Sequence, residues 1–319
     1  MKQNVIPLKF RPDGTFRVLM VSDIQDIPEY NEKTPAALAA LIESVKPDLV
    51  IWGGDNCDGR KVFTEEELRE YLKVFSAPME NAGIPWMHVY GNHDHDCAVP
   101  ALRMSEIYSE CPHCISGVSP DGVPGVSNYA VTVANGSGEP ALVIYAFDTH
   151  NKDPELRPGV TTESLLVPNR SKNYRKWDII RFEQIMWYWN YSCELEKHYG
   201  RKIPAMAVMH VAPHEIQLTP DNPEECAFTG YHDELMQMGV LNSGVFAAML
   251  QRGDVNVIAA GHSHQDDVDG IFGGIRLCLD GCAGYHPKGR EECRGGRVFD
   301  FSAEGTHTTH MVTYRELGL

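Results

Sequence analysis

FRVLMVSDIQD, residues 16–26, is an apolar run that ends abruptly in a polar cluster. Its β-branched and large apolar residues predict a buried strand. Two carboxylates, Asp23 and Asp26, then stand on either side of the amide Gln25. A polar cluster at this point indicates either a turn or a bound ligand, and the other apolar runs of the chain decide between them.

Five more apolar runs end in the same way. They are PDLVIWGGDN (47–56), IPWMHVYGNHD (84–94), PALVIYAFDTH (140–150), PAMAVMH (204–210) and VNVIAAGHSH (255–264). The residues at the six ends are Asp23, Asp55, Asn56, Asn92, His93, Asp94, Asp148, His150, His210, His262 and His264. Side chains at the carboxyl ends of strands converge on one edge of an open α/β sheet, which is where such sheets hold ligands.

Each end has an ordinary explanation when it is taken alone. Gly-Asp and Asn-His-Asp after a strand are typical of turns, because Gly and Asn tolerate positive φ and Asx side chains cap turns. A histidine such as His210 is more often a satisfied core residue than a ligand. Turn formation does not require six runs to end in metal-donor residues, however. Oxygen and nitrogen donors without cysteine favour Mn, Fe or Zn in a catalytic role, so we interpret the ends as a metal centre.

The apolar runs alternate with helical patterns, which predicts an α/β organisation. Helices are expected in TPAALAALIESVKP (34–47), TEEELREYLKVFSAPMENAG (64–83), 178–199 and 243–252. Thr34 is the expected N-cap of the first helix, and Thr64 and Glu67 have capping-box spacing in the second. The segments around 95–128 and 150–176 are irregular, and we interpret them as loop insertions in a single domain spanning 1–319.

The composition limits the partners of this chain. It has 319 residues, 43% of them hydrophobic, and a net charge of −16. Nucleic acid and anionic membranes demand clustered Lys and Arg, so neither is expected as the main partner, whereas a small phosphorylated substrate remains open. The nine cysteines form no dense framework. Without a leader-like start or a 20-residue apolar run, we expect a cytoplasmic protein. The oligomeric state stays open.

The polar ends, taken in order, match a known set of motifs. Asp23-x-Gln25, Gly54-Asp55-Asn56, Gly91-Asn92-His93-Asp94, His210 and Gly261-His262-Ser263-His264 resemble the five motifs of the calcineurin-like metallophosphoesterase superfamily. HVAPHE (210–215), the segment 242–267 and GGRVFDF (295–301) further resemble the purple-acid-phosphatase-like subgroup. The resemblance implies a four-layer αββα sandwich, in which two mixed β-sheets are flanked by helices.

The resemblance also implies a centre of two divalent or trivalent metal ions. One ion would be held by Asp23, Gln25 and His264 and the other by Asn92, His210 and His262, with Asp55 bridging them. Two cations about 3.5–4 Å apart can share a hydroxide that attacks phosphorus in line. His93 would then protonate the leaving oxygen. The implied activity is metal-dependent hydrolysis of a phosphomonoester or phosphodiester.

Gln25 departs from the superfamily pattern, which usually has a histidine at this position. An amide oxygen is a harder and weaker donor than imidazole, so Mn or Fe is expected at this site in preference to Zn. A Gln here is similar to the arrangement in manganese-dependent ADP-ribose and CDP-alcohol pyrophosphatases. It also motivates an alternative, a catalytically weakened metal-binding or regulatory protein with the same fold. A mononuclear oxygenase does not fit, because seven donors are too many for a two-His-one-carboxylate site.

Several residues beside the motifs are left without a firm role. Asp58 follows Asp55 by three residues, as in family members whose second Asp orients the catalytic histidine, but an ordinary loop Asp fits equally well. The others are His95, Asp96, His150, His214, Glu215 and Asp266. Cys111 and Cys114 have the spacing of half a zinc knuckle, but no second pair exists, so zinc is not expected there.

Overall fold

Strands and helices alternate along the chain, as the sequence predicts. The computed structural model describes residues 6–61, 64–152, 155–161, 165, 177–233 and 236–319. The strands in these residues are β1 (Leu8–Lys9), β2 (Thr15–Val21), β3 (Leu49–Trp52), β4 (Trp86–His88), β5 (Tyr129–Ala134), β6 (Pro140–Phe147), β7 (Glu155–Arg157), β8 (Val160–Thr161), β9 (Ala205–Met209), β10 (Thr229–Tyr231), β11 (Val255–Ala260), β12 (Asp267–Phe272), β13 (Ile275–Leu279), β14 (Gly295–Ser302) and β15 (His307–Thr313). The helices are α1 (Lys33–Val45), α2 (Glu65–Phe75), α3 (Ala77–Ala82), α4 (Ala101–Tyr108), α5 (Phe182–Tyr199), α6 (Leu218–Asp221) and α7 (Val245–Arg252), with a 3-10 helix at His214–Gln217. All six apolar runs that end in polar residues form strands, namely β2, β3, β4, β6, β9 and β11.

The strands form two mixed sheets. A five-stranded sheet has the order β15-β14-β2-β3-β4. Strands β2, β3 and β4 are parallel, and β14 runs antiparallel to both of its neighbours, β2 and β15. An eight-stranded sheet has the order β1-β5-β6-β9-β11-β13-β12-β10, with β6, β9, β11 and β13 parallel at its centre. Strands β7 and β8 pair separately. Each large sheet therefore carries three of the six strands that end in polar residues.

The two sheets pack face to face, and helices cover their outer faces. Val18 and Met20 of β2 lie in the core between the sheets, together with Ile144 of β6 and Val208 of β9. Leu19 points the other way, into a second core with α1, α2, α3 and α4. A third core joins the eight-stranded sheet to α5 and α7. Alternate side chains of a strand face opposite sides, so these strands are buried on both faces. The predicted αββα architecture is confirmed.

Helix α2 begins at the predicted capping box. Thr64 Oγ1 accepts a hydrogen bond from the backbone N of Glu67, and the Glu67 carboxylate accepts one from the backbone N of Thr64. Helix α7 lies inside the predicted range of 243–252 and ends at Gly253, which has a φ of 69°. Helix α5 begins at Phe182, four residues later than the predicted range of 178–199.

The prediction that Thr34 caps α1 is wrong. Glu32 occupies the N-cap position, and Thr34 is already inside the helix. The Thr34 hydroxyl donates to Oδ2 of Asp26 at 2.7 Å, and Oδ1 of Asp26 accepts from the backbone N of Asn31. Asp26 is therefore a turn carboxylate, and it binds the Thr34 hydroxyl that would otherwise be available to cap the helix.

Both irregular segments contain regular secondary structure in the part of the chain that the structure describes. The segment around 95–128, expected to be a loop insertion, contains α4 at Ala101–Tyr108. Most of 150–176 lies outside the described residues, and its described part contains the β7–β8 pair. None of the described helices is long and apolar enough to span a membrane. All nine cysteines are free thiols.

Candidate metal centre

The two sheets pack face to face, and the polar ends of their strands meet at one edge of this sandwich. Asp23 follows β2 and Asp55 follows β3 in the five-stranded sheet, whereas His210 follows β9 in the eight-stranded sheet. Nε2 of His210 lies 3.3 Å from Oδ2 of Asp55 and 3.9 Å from Oδ1 of Asp23. All three residues are buried. The two sheets therefore contribute facing halves of one site.

Two groups of side chains in the described residues have the geometry of a metal site here. Asp55, His210 and His262 form one group, and Asp23, Asp55 and His264 form the other. The ligand atoms of each group lie within 4.8 Å of one another. Asp55 belongs to both groups, which is the position of a carboxylate that bridges two ions.

Gln25 and Asn92, the two other predicted ligands, lie close to Asp55. The backbone N of Gln25 donates to the backbone O of Asp55 at 2.9 Å, which places Gln25 beside the shared carboxylate. Asn92 lines the same pocket as Asp55. Gln25 Oε1 and Asn92 Oδ1 are buried and have no hydrogen-bond partner.

Several buried side-chain atoms without hydrogen-bond partners lie at this centre. Nε2 of His210 and Nε2 of His262 also lack hydrogen-bond partners, as do the two amide oxygens. A buried polar atom without a partner costs about 1–3 kcal/mol, so four of them in one place need an explanation. Metal ions would satisfy all four. The donor set of oxygen and imidazole nitrogen atoms fits such ions.

Two of the histidines are held through Nδ1 with Nε2 toward the carboxylates of the centre, at 3.3 Å from Oδ2 of Asp55 for His210 and at 3.0 Å from Oδ1 of Asp23 for His264. Nδ1 of His210 lies 3.0 Å from the backbone O of Gly53, and Nδ1 of His264 lies 2.9 Å from the backbone O of Lys288. Because a carbonyl oxygen only accepts, each Nδ1 carries the proton and donates it. This is the usual arrangement of a metal-binding imidazole.

The backbone is strained at the predicted ligands. Asp23, Gln25, Asp55 and His262 have φ values of 54°, 40°, 48° and 70°. Residues other than glycine rarely adopt this left-handed region, and such residues concentrate at functional sites. These turns aim four polar side chains into the centre at some cost in stability.

Glycines beside the ligands allow the close packing of the centre. A Cβ atom added to Gly54, which has a φ of 94°, would lie 2.5 Å from Nδ1 of His210. One added to Gly91 would lie 2.3 Å from the backbone N of Asp55. Glycine therefore precedes Asp55 and Asn92 because a side chain at Gly54 or Gly91 would collide with neighbouring residues of the centre.

The buried carboxylates and histidines of the centre shift one another's pKa values. Burial alone would raise the pKa of Asp55, but His210 and the other histidines hold it below its ordinary value. Burial alone would lower the pKa of His210, but Asp55 and Asp23 raise it to about 10. Asp23 likewise overcomes burial and raises the pKa of His264 to about 9. Burial, and then the neighbouring His210, lower the pKa of His262 to about 3. Without metal, His210 and His264 therefore carry protons that metal ions must displace.

His93 lies beside the shared carboxylate. Its backbone N donates to Oδ1 of Asp55 at 2.7 Å, and its ring Nε2 lies 4.0 Å from Oδ2 of Asp55. On the other side of the ring, Nδ1 lies 3.0 Å from Oδ2 of Asp96. The ring therefore faces the centre with Nε2 and a supporting carboxylate with Nδ1.

Of the two interpretations that the sequence leaves open for Asp58, the structure favours an ordinary loop carboxylate over one that orients His93. Both carboxylate oxygens of Asp58 bind the guanidinium of Arg60, at 2.7 and 2.8 Å. Asp96, which the sequence leaves without a role, makes the contact with His93 instead. The sequence signal for Asp96 is its position three residues after His93 in the same turn.

The other residues beside the motifs bind protein groups. His95 pairs with Asp148 at 2.8 Å, and His150 contacts Gln184 at 3.1 Å. The three further contacts join His214 to the backbone O of Gly239, Glu215 to Asn242, and Asp266 to the backbone N of Asp233. None of these residues belongs to either candidate metal group in the described part of the chain.

Cys111 and Cys114 also do not form a metal site with other described residues. Cys111 Sγ lies 3.8 Å from the hydroxyl of Ser76, and the intervening His113 binds Glu80 at 2.8 Å. The pair therefore belongs to the packing of the helical layer.

An open pocket leads to the centre. Its volume is about 310 Å³, and it is lined by Asp55, Asn92, His93, His262 and His264 and by four residues outside the motifs, Trp177, Gln237, Gln265 and Lys288. The Trp177 ring meets the His262 ring at 4.7 Å and 89°, and its indole N–H donates to Gln237 at 3.1 Å. Sequence reasoning missed Trp177, Gln237 and Lys288, because no motif or periodicity marks them.

Comparisons with known proteins agree on the family and on the fold. A model of the family described as calcineurin-like phosphoesterase matches residues 16–266. A protein of Arabidopsis thaliana named probable inactive purple acid phosphatase 14 is 27% identical over 311 residues, covering 89% of this chain and 74% of the relative. The phosphatase DCR2 of Saccharomyces cerevisiae is 25% identical over 304 residues, covering 84% of this chain and 48% of the relative.

Among solved structures, a dimetal phosphatase from Danio rerio has a similar fold. The TM-score is 0.59 at 15% sequence identity, and the match covers 94% of this chain and 99% of the other. Over most of both chains, the two backbones share one architecture.

Proposed function

Because this chain belongs to the calcineurin-like phosphoesterase family, we propose that it is a binuclear metal-dependent phosphoesterase. The reaction is hydrolysis of a small phosphomonoester or phosphodiester by in-line attack on phosphorus. The observation that carries the proposal is the shared carboxylate of Asp55, which lies in both candidate metal groups.

Seven residues would hold the ions. They are Asp23, Gln25 and His264 at one position, Asn92, His210 and His262 at the other, and Asp55 between them. Two ions in this centre would supply a hydroxide nucleophile at neutral pH and neutralise charge on the phosphoryl oxygens. Asn92 contributes a neutral oxygen, so it adds no further negative charge beside the substrate. Gln25 contributes a hard amide oxygen, which favours Mn or Fe over Zn at its position.

His93 is the proposed proton donor to the leaving oxygen. Its ring lines the pocket, and Nε2 is on the side of Asp55. General acids must lie within hydrogen-bond reach of the atom that they protonate, and a ring that lines the pocket beside Asp55 would be placed to meet this requirement. The pair of Asp96 and His93 leaves Nε2 as the atom available to substrate.

The pocket supports a small phosphorylated substrate. A volume of about 310 Å³ lies at the lower end of the range for small-molecule sites. Lys288 is exposed at its rim and brings a cation to a chain with a net charge of −16. Trp177 and Gln237 supply an aromatic and a polar surface for the group attached to phosphorus.

A catalytically weakened metal-binding or regulatory protein is the second candidate. The motivating observations are Gln25 at a position where the family usually has histidine and the word inactive in the name of one relative. The complete set of seven donors together with His93 favours the active enzyme.

The experiment that separates the two candidates uses protein loaded with Mn and assayed on p-nitrophenyl phosphate and bis(p-nitrophenyl) phosphate. We expect turnover of at least one substrate, loss of about 10²-fold or more in kcat on His93→Gln, and an unchanged metal content. His198→Gln, on the exposed end of α5, is the matched control. A metal-loaded protein that turns over neither substrate would favour the weakened candidate, and full activity in His93→Gln would remove the role given to His93.

A further inference from the structure

Asp96 connects the proposed proton donor to the opposite sheet. We propose that Asp96, supported by Asn151, is the residue that positions His93 for proton transfer, and that it does so in place of Asp58. This inference rests on the proposed function, because it concerns the role that His93 has in that reaction.

The contacts of His93 define the orientation of its ring. Nδ1 lies 3.0 Å from Oδ2 of Asp96, while Nε2 lies on the side of Asp55 at 4.0 Å from Oδ2. A carboxylate only accepts, so Nδ1 carries a proton and donates it to Asp96. The side chains of His93 and Asp96 are 17% and 18% exposed, so the pair is largely removed from water.

Asp96 is itself held on its second oxygen. Nδ2 of Asn151 donates to Oδ1 of Asp96 at 2.8 Å. Asn151 follows β6 of the eight-stranded sheet, whereas His93 and Asp96 follow β4 of the five-stranded sheet. The carboxylate is thus fixed from two directions, which is what a positioning group needs.

A neighbouring ion pair braces the same two loops. Nε2 of His95 lies 2.8 Å from Oδ1 of Asp148, and Oδ2 of Asp148 accepts from the backbone N of Val126 at 2.7 Å. His95 stands between His93 and Asp96 in sequence, and Asp148 stands just before Asn151. The contact between Asp96 and Asn151 is therefore part of a braced junction between the two sheets.

Asp58 is not free to perform this role. Arg60 binds both of its carboxylate oxygens, and the nearest histidine nitrogen paired with it in the described residues is Nε2 of His286 at 3.9 Å. An orienting carboxylate must hydrogen-bond the ring that it orients. Asp96 meets that condition and Asp58 does not.

The contact has a defined chemical consequence. A carboxylate at Nδ1 holds the ring with Nε2 toward the centre, and the proton on Nε2 passes to the leaving oxygen as the bond from that oxygen to phosphorus breaks. The neutral ring keeps its proton on Nδ1, directed at Asp96, and takes a new proton from water before the next turnover. An amide at residue 96 would replace this charge-assisted hydrogen bond by a weaker neutral one, so it would hold the orientation of the ring less firmly.

The test compares Asp96→Asn with Asp58→Asn on a series of aryl phosphates or phosphodiesters whose leaving groups range from p-nitrophenol to phenol. A poor leaving group needs proton donation more than a good one. We expect Asp96→Asn to lose on the order of 10²-fold in kcat with phenol as the leaving group, and less than about tenfold with p-nitrophenol. KM and metal content are expected to stay within about twofold of wild type. Asp58→Asn is expected to retain the wild-type dependence on the leaving group.

Three further measurements separate positioning from a merely structural role. Asp96→Glu is expected to restore most of the rate with the poor leaving group, because it restores the carboxylate. Asn151→Ala leaves Asp96 in place but removes its support. It is expected to lose more kcat with phenol than with p-nitrophenol as the leaving group, as Asp96→Asn does, but to a smaller extent. The ¹⁵N shifts of the His93 ring, identified by their loss in His93→Gln, are expected to report a proton on Nδ1 in wild type and a change in Asp96→Asn.

The proposal would be overturned if Asp96→Asn lost kcat equally with all leaving groups. It would also be overturned if Asp58→Asn, and not Asp96→Asn, showed the steep dependence of kcat on the leaving group. If Asp96→Asn fails to fold or to hold metal, the test is made with Asn151→Ala. If kcat of Asn151→Ala depended on the leaving group as in wild type, the proposed role of Asp96 would be contradicted. An active His93→Gln enzyme would instead contradict the role of His93 in the proposed function.

Discussion

Oδ2 of Asp55, on the five-stranded sheet, lies 3.3 Å from Nε2 of His210, on the eight-stranded sheet. The same carboxylate also belongs to the group formed with Asp23 and His264. One side chain therefore links the two sheets and both halves of the metal centre. Its removal should affect the two halves together, which distinguishes a shared centre from two separate sites.

Asp55→Asn is expected to reduce the metal content from about two ions per chain to nearly none, because neither group keeps its shared ligand. The measurement is elemental analysis of protein loaded with Mn and freed of excess metal. Asp58→Asn, three residues away in the same loop, is the matched control and should retain both ions. A normal pair of ions in Asp55→Asn would contradict the bridging role.

Gln25→His is expected to increase zinc affinity relative to manganese by about tenfold, since imidazole is a better ligand for zinc than an amide oxygen. Competition between the two metals, followed by elemental analysis, measures this preference. Gln25→Ala should lower occupancy at one position only. If Gln25→His gained neither occupancy nor zinc preference, Gln25 would not be a ligand.

The ion pair of His95 and Asp148 should make stability depend on pH. Burial alone would lower the pKa of His95, but Asp148 raises it to about 9, compared with about 6.5 in an unfolded chain. The contribution is therefore fully present below about pH 6.5 and is lost as the pH rises through about 9. It amounts to roughly 3 kcal/mol at most.

Urea unfolding of wild type and His95→Gln at several pH values measures this contribution. The difference between their free energies of unfolding should be largest near pH 6 and should shrink between pH 7 and 10. The control is His198→Gln, whose difference from wild type should be small at every pH. A His95 difference that does not change with pH would show that the pKa of His95 is the same in the folded and the unfolded chain.

Lys288→Met tests the proposed small anionic substrate. The change removes the cation at the pocket rim and keeps the backbone O that accepts from His264. A charge-assisted hydrogen bond contributes about 1.5–3 kcal/mol, so KM for a phosphomonoester should rise about tenfold or more, with a smaller change in kcat. Lys73→Met, on the surface of α2, is the control. An unchanged KM would remove Lys288 from the substrate site.

The six strands and their polar ends were predictable because both signals are local. Runs such as VNVIAA need only hydrophobicity and β-branched residues to indicate a strand, and the donor residues follow immediately in sequence. Convergence of Asp55 and His210 then follows from the general behaviour of strand ends in α/β sheets. The α/β organisation followed from these local patterns, whereas the four-layer architecture and the seven candidate ligands followed from the resemblance of the motifs to the calcineurin-like metallophosphoesterase superfamily.

The remaining features depend on packing between distant segments. Thr34 has a good capping residue type, but the buried carboxylate of Asp26 competes for its hydroxyl. Asp58 has the right spacing to orient His93, but Arg60 neutralises it. The choice of Asp96 depends on where Asn151 lies, and no local pattern encodes that distance. Trp177 and Lys288 reach the pocket from loops for the same reason.

The long sequence separations inside the centre have a consequence for how the protein acquires metal. The backbone N of His262 donates to Oδ2 of Asp23 at 2.9 Å across 239 positions. Contacts between such distant positions form late in folding, since loop closure must come first. A chain still being synthesised therefore has no complete metal site until the segment through His264 has emerged. Metal capture at the proposed centre would then follow the formation of these long-range contacts.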